Sequence, residues 1–267
     1  MELADVPDSK SGGSDTVSVR PRSPAFLIKQ SHLINEVALI FKKGQSAMRP
    51  RKKKNLEARF NKCISYLVEN PAELKGKWSR DNKPVFLEIG CGKGAFVVNM
   101  AMKYPDIEFV AMECVKDVLV MAMEKADENK LQNVRFICDF AQNLPEMFDE
   151  NEISRIYINF SDPWPRKKQA KNRLTFSKYL NIYKTILQSD GIVCQKTDNR
   201  ILFDYSIESF TENGWVLDNV TFDLHNTDNY GGGATFASGV DVITEYENRF
   251  MELGQPIHRL EAKFGLV

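Results

Sequence analysis

From residue 84 onward, short apolar runs alternate with stretches whose apolar residues recur every three or four positions. Val85-Phe-Leu-Glu-Ile89 reads as a buried strand, and 95–103 beyond it as a helix. Further strands are expected at 108–113, 134–138, 155–160 and 191–195, with late ones at 215–224 and 257–264. Val118, Leu119, Ala122 and Ala126 fall at helical spacing within 115–129. Leu180, Tyr183, Ile186 and Leu187 do the same within 177–187, and 201–213 is a further helix that Gly214 ends. Strands that alternate with helices predict a parallel sheet covered on both faces. Such sheets bind ligands beyond the carboxyl ends of their strands. No internal repeat interrupts this order.

The pattern before residue 84 is different. Residues 1–24 are rich in Ser, Gly, Asp and Pro and are expected to be disordered. Residues 33–41 are apolar enough for one short helix or strand. The character changes at Met48-Arg-Pro-Arg-Lys-Lys-Lys54, which looks like the beginning of a protein. Either Met48 is therefore the true start or residues 1–47 are a disordered or dispensable extension; 48–83 read as a basic helical segment, and 84–267 as the main domain.

Composition narrows the picture only a little. The chain has 267 residues, 43% apolar and 27% charged, with a formal net charge of zero. A nucleic-acid partner must then be served by local patches. Residues 48–77 supply one, with nine Lys or Arg against three Glu, and 166–173 another. The five cysteines lack metal-ligand spacing and read as reduced core residues of a cytosolic protein, and the three histidines are scattered, so no metal site is expected. No apolar run reaches the length of a membrane span, and residues 1–5 lack the features of a secretory signal.

Glu88-Ile-Gly-Cys-Gly-Lys-Gly94 lies between the first strand and the first helix. Gly90, Gly92 and Gly94 allow a tight turn and close approach of a ligand. Glu113 ends the second strand, where a carboxylate accepts hydrogen bonds from a ribose diol. These features alone fit NAD or S-adenosylmethionine. The spacing is G-x-G-x-G, and Glu88 adds an anion beside the loop. A pyrophosphate is repelled there, whereas a sulfonium and an ammonium are attracted. S-adenosylmethionine is the better match.

Asn159-Phe-Ser-Asp-Pro-Trp-Pro-Arg-Lys-Lys-Gln-Ala-Lys-Asn-Arg173 places Asp162 at the end of an apolar run. Five cations follow, at 166, 167, 168, 171 and 173. An acid beside an aromatic suits a flat, polar base, and the cations suit a phosphate backbone. On its own the run also fits a strand, a turn and a solvated basic helix start.

Taken with Met48 to Leu56, Asn70 to Trp78, Lys196-Thr-Asp-Asn199, Asp223-Leu-His-Asn226, Thr244-Glu-Tyr-Glu247 and the Gly254 to Ala262 stretch, these motifs cover nearly all of 48–267. In them the chain resembles the bacterial tRNA (guanine-N7)-methyltransferases. The resemblance implies a class I S-adenosylmethionine-dependent methyltransferase fold, an α/β Rossmann-like sheet of seven strands, the last antiparallel. It implies methyl transfer to N7 of a guanosine in the tRNA variable loop. Glu88, Gly90, Gly92, Gly94, Glu113, Asp139, Phe140 and Asp162 would form the cofactor site. Arg166, Asp198, Thr244, Glu245, Tyr246 and Glu247 would contact the guanosine, and Lys168, Gln169, Ala170, Lys171, Asn172 and Arg173 would face RNA. The implied protein is cytoplasmic, acts on tRNA, uses no membrane and no obligatory protein partner, and is a monomer or homodimer.

Three positions depart from the family pattern. Phe140 stands where an Asp usually contacts the adenine region, and the adjacent Asp139 is expected to point to the opposite face. Arg166 replaces a lysine, exchanging a point charge for a fork. Residues 225–240 are long and glycine-rich, and read as a surface loop or a lid. These departures motivate an alternative reading, an RNA-binding protein of this fold with weak or lost transfer.

Chemically, guanine N7 carries an exposed lone pair and needs no base. Asp162 is assigned to stabilise the positive charge that alkylation leaves on the ring. Asp198, Glu245 and Glu247 are the candidates to accept from guanine N1–H and N2–H.

Overall fold

The computed structural model describes residues 55–226 and 235–265, apart from the side chain of Glu245. The expectations for residues 1–47, for the cations at 49–54 and for the centre of the 225–240 loop lie outside them.

Among the described residues the strands are β1 Val85–Ile89, β2 Glu108–Met112, β3 Val134–Ile137, β4 Ile153–Asn159, β5 Leu187–Thr197, β6 Val216–Thr221 and β7 His258–Lys263. They form one sheet in the order β3-β2-β1-β4-β5-β7-β6. β7 alone runs antiparallel to its neighbours β5 and β6. The helices are α1 Leu56–Lys62, α2 Ala95–Lys103, α3 Lys116–Glu128, α4 Leu144–Met147, α5 Ser177–Ile186, α6 Arg200–Glu212 and α7 Glu245–Glu252. The seven strands are those the sequence pattern predicts, and the antiparallel last strand is the one the family resemblance implies.

Strand alternation sorts the core into two layers. Leu87, Ile89, Val110, Ile156, Ile158 and Val193 pack against α4, α5 and α6 on one face. Phe86, Phe109, Tyr157 and Cys194 pack with α2 and α3 on the other. The buried five-residue run of β1 reflects burial on both faces, as parallel sheets require. The described residues 55–84 before β1 are tied in by Trp78, which is fully buried. Its indole N–H donates to the Met147 carbonyl at 2.8 Å, and its ring lies 5.1 Å from that of Phe148.

The largest shift of a strand start from the sequence reading is at β5. α5 ends at Ile186 and β5 begins at Leu187, four residues before the expected strand. The register between β4 and β5 shifts between Ile153 and Arg155. At Gly191 a Cβ would lie 2.8 Å from the Gln188 carbonyl oxygen, so a glycine permits the kink that an apolar pattern cannot reveal.

Strand order reverses between β1 and β4, which opens a crevice beyond their carboxyl ends. The β1–α2 turn and the β4–α5 connection both lead out there.

Candidate active site

A cavity of about 580 Å³ occupies that crevice, with Glu88, Gly92, Phe160, Asp162, Thr244 and Tyr246 among its lining residues. A smaller groove of about 90 Å³ shares Gly90 with it and is lined by Glu113, Asp139, Phe140 and Leu174 among others. Glu88 and Asp162 therefore share the cavity, and Glu113 stands on the adjoining groove.

Glu88 ends up buried because β1 is covered on both faces. Its Oε1 accepts from Asn159 Nδ2 at 3.1 Å, across the β1–β4 pair. Its Oε2 is buried and has no hydrogen-bond partner. Burial drives its pKa up to about 7, against the Asn159 donor, the Val97 N–H at the start of α2 and the Lys196 charge, which all favour the anion. An unfinished carboxylate under a cavity suits a cationic ligand group.

The glycines divide into two roles. A Cβ on Gly90 or Gly92 would meet nothing within 4 Å, so the backbone there is open to a ligand. A Cβ on Gly94 would come within 2.5 Å of Ala122 Cβ, so that glycine serves the packing of α2 on α3. Glu113 spans the turn. Its Oε2 accepts from Gly92 N–H at 3.1 Å and its Oε1 from Val115 N–H at 2.9 Å. Asp139 Oδ1 accepts from Phe140 N–H at 2.6 Å and from Asn143 Nδ2 at 2.8 Å, and this local turn leaves Phe140 exposed on the groove.

On the other side, Asp162 is exposed at the cavity. The loop that carries it leaves β4 through Phe160, whose φ is 50°, an uncommon value for a non-glycine residue. The Phe160 ring lies 4.9 Å from that of Tyr246 at the start of α7. Burial holds the Tyr246 phenol above its ordinary value, and the nearby Asp198 and Asp162 push the same way. Asp198 follows β5, and burial raises its carboxyl pKa as well. Arg166 is exposed and precedes a short 3-10 helix, Lys167–Asn172, on which Lys168, Lys171 and Asn172 are exposed and Gln169 and Ala170 half-buried.

Two expectations are corrected. Arg173 does not face outward for RNA: it is 6% exposed. Its guanidinium donates to the Pro163 and Trp164 carbonyls, each at 3.0 Å, and stacks on Tyr205. Backbone carbonyls turned inward by the Pro-Trp turn need a donor, and Arg173 supplies it. Glu247 does not face the cavity either. It is fully buried, with both oxygens held by Lys196 Nζ at 3.2 Å. Thr244 is the N-cap of α7 and forms a capping box with Glu247. Within the 225–240 loop, the Ala237 carbonyl accepts from the Tyr157 hydroxyl and Gly239 lies close against Phe96. This described part is packed on the sheet, unlike a free lid.

The sequence reading also missed residues at the cavity. Arg249, exposed, lines it one turn of α7 after Tyr246, and Lys93 lines it from the glycine turn. Their only signal was adjacency to motifs already chosen.

Residues 82–260 match the family described as "Putative methyltransferase". A tRNA (guanine-N(7)-)-methyltransferase of Lachnoclostridium phytofermentans is 44% identical over 200 residues, which is 74% of this chain and 90% of that protein. The chain belongs to the tRNA (guanine-N(7)-)-methyltransferase family. Family members of the same name from Bacillus subtilis and Listeria innocua are each 41% identical, over 74% and 81% of this chain and 90% and 99% of theirs. Among solved structures, the 16S rRNA methyltransferase KamB superposes with a TM-score of 0.51 at 14% identity, covering 73% of this chain and 92% of that one. At that identity the match speaks to the methyltransferase fold alone. No described helix of this family member is long and apolar enough to cross a membrane.

Proposed function

We propose that this protein transfers a methyl group from S-adenosylmethionine to N7 of a guanosine in the variable loop of tRNA. The observation that carries the reading is the unpartnered oxygen of Glu88 under the same cavity that Asp162 borders. When bound, S-adenosylmethionine supplies an electrophilic methyl carbon on a cationic sulfur. Glu88 and the open glycine turn at Gly90 and Gly92 fit its charged amino-acid end. Glu113 fits the ribose hydroxyls, and Phe140 with Asp139 borders the groove where a flat adenine belongs.

The chain's own task is alignment, because guanine N7 needs no deprotonation. Phe160 and Tyr246 offer an aromatic wall for a base taken out of its stack. Asp162 is assigned to stabilise the positive charge that builds on the ring, and could also accept the N1 proton that this charge makes more acidic. Asp198, whose charge acts on the Tyr246 phenol, is the acid assigned to read the guanine edge. Arg166, Lys168 and Lys171 hold phosphates, which fix position rather than sequence. A tRNA substrate puts the protein in the cytoplasm.

The test is a methylation assay on tRNA lacking the modification, followed by mapping of the product. N7-methylguanosine at one variable-loop position supports the reading. Tight binding of tRNA and S-adenosylmethionine without transfer contradicts it and favours the RNA-binding alternative.

A further inference from the structure

Lys196 lies near the end of β5 and serves two elements at once. Its carbonyl accepts the Phe160 N–H at 2.8 Å, which anchors the loop that carries Asp162. Its side chain, 3% exposed, runs under α7. There Nζ donates to the Val242 carbonyl and to both Glu247 oxygens, each at 3.2 Å. Glu247 is otherwise fully engaged. Its Oε1 faces His225 Nε2 at 3.0 Å, and its Oε2 accepts from Thr244 N–H at 3.4 Å. Its backbone N–H donates to Thr244 Oγ1 at 3.0 Å. Thr244, Tyr246 and Arg249 line the cavity, whereas Glu247 does not. Helical spacing explains this: Tyr246 and Arg249, three apart, share one face, and Glu247 is turned about 100° from Tyr246 toward the sheet.

We infer that the buried Glu247 and Lys196, with the half-buried His225, form a positioning cluster that sets α7, and with it Tyr246 and Arg249, against the Phe160–Asp162 loop, and that Glu247 does not bind guanine. The inference rests on the proposed reading of the cavity as the guanosine site. A carboxylate with its oxygens held by an ammonium, an imidazole and a backbone N–H has little capacity left for N1–H and N2–H. Rotating it outward would also leave Lys196 buried and unpaired, a costly exchange. Burial already pulls the Lys196 pKa below its ordinary value, and Glu247 is the main charge that opposes this. His225 adds a link between α7 and the start of the glycine-rich loop, a role the sequence motif did not disclose.

The experiment uses the full chain with Glu247→Gln, Lys196→Met, Glu247→Leu and the double variant Lys196→Met/Glu247→Leu. Transfer is measured on tRNA with guanosine or inosine at the target position, and S-adenosylmethionine affinity by calorimetry. Wild-type transfer to guanosine tests the underlying reading by itself. Given that activity, the cluster predicts that each apolar single variant loses at least tenfold in kcat/KM while cofactor affinity stays within twofold. The double variant, with no stranded charge, recovers to within fivefold of wild type, so the two losses are not additive. Glu247→Gln, which keeps the shape and most bonds, leaves the guanosine-to-inosine preference unchanged and serves if the apolar variants do not fold. A preference that collapses in Glu247→Gln means that Glu247 reads the guanine amino group and overturns the inference. So does a double variant whose losses simply add.

Discussion

Glu88 and Glu247 are both buried carboxylates at the carboxyl end of the sheet, 3% and 0% exposed, yet their surroundings differ. Glu247 is paired with a lysine, a histidine and a helix N-terminus. Glu88 accepts from the Asn159 amide, has the Val97 N–H beside it and keeps one buried oxygen with no hydrogen-bond partner, and its pKa is raised to about 7. The first arrangement completes the fold, and the second leaves an acceptor open under the cavity. Burial and acidity alone do not separate a binding residue from a supporting one; the count of satisfied lone pairs does.

The comparison breaks most sharply if one partner of the finished pair is removed. Glu247→Leu strands the Lys196 ammonium and should cost about 3–5 kcal/mol in denaturant unfolding. Unchanged stability would mean that the pair is not formed in solution.

Glu88 should respond in the opposite direction. Its folded pKa lies above the unfolded value of 4.5. The folded protein thus keeps a proton that the unfolded chain releases between pH 4.5 and 7. The group's stabilisation is complete below pH 4.5 and is lost as pH rises through 7, by about 3 kcal/mol in total. Glu88→Gln mimics the protonated form. Urea melts should find it about 3 kcal/mol more stable than wild type at pH 8 and equal to it near pH 4.5. A difference that does not vary with pH would contradict the assignment.

Asp162, an exposed acid, sharpens the contrast from outside. Asp162→Ala should lose about a hundredfold or more in turnover, with the melting temperature within a degree or two of wild type. Retained turnover removes it from the mechanism.

The two kinds of cation in 166–173 form a parallel pair. Arg173→Met should cost about 1–3 kcal/mol of stability by leaving the Pro163 and Trp164 carbonyls without a donor. The salt dependence of tRNA binding should stay as in wild type. Replacing Lys168 and Lys171 with Ala should leave stability unchanged and reduce the salt slope by about 2. An unchanged slope would exclude this track.

How far the sequence carried the reading follows from the range of the interactions. Periodicity is local, so α2 at 95–103 and the buried β1 were legible from neighbours alone. The glycine turn was legible because three glycines with positive φ follow one another at alternate positions after β1. Arg173 was misread because a cation in a basic run has no local sign of burial; its direction depends on carbonyls nine and ten residues back. Glu247 was half legible. Thr244 and Glu247, three apart, are a capping-box signature, but Lys196 lies 51 residues away and gives no sign in the α7 sequence. Charge partners that meet only through the sheet are the part that required the fold.

The most direct test of the contrast is S-adenosylmethionine binding to Glu88→Gln and Glu247→Gln, measured side by side by calorimetry at pH 8. Glu88→Gln should bind about a hundredfold more weakly, roughly 2.7 kcal/mol, while Glu247→Gln stays within twofold of wild type. Near-normal affinity in Glu88→Gln, or an equal loss in both, would contradict the account.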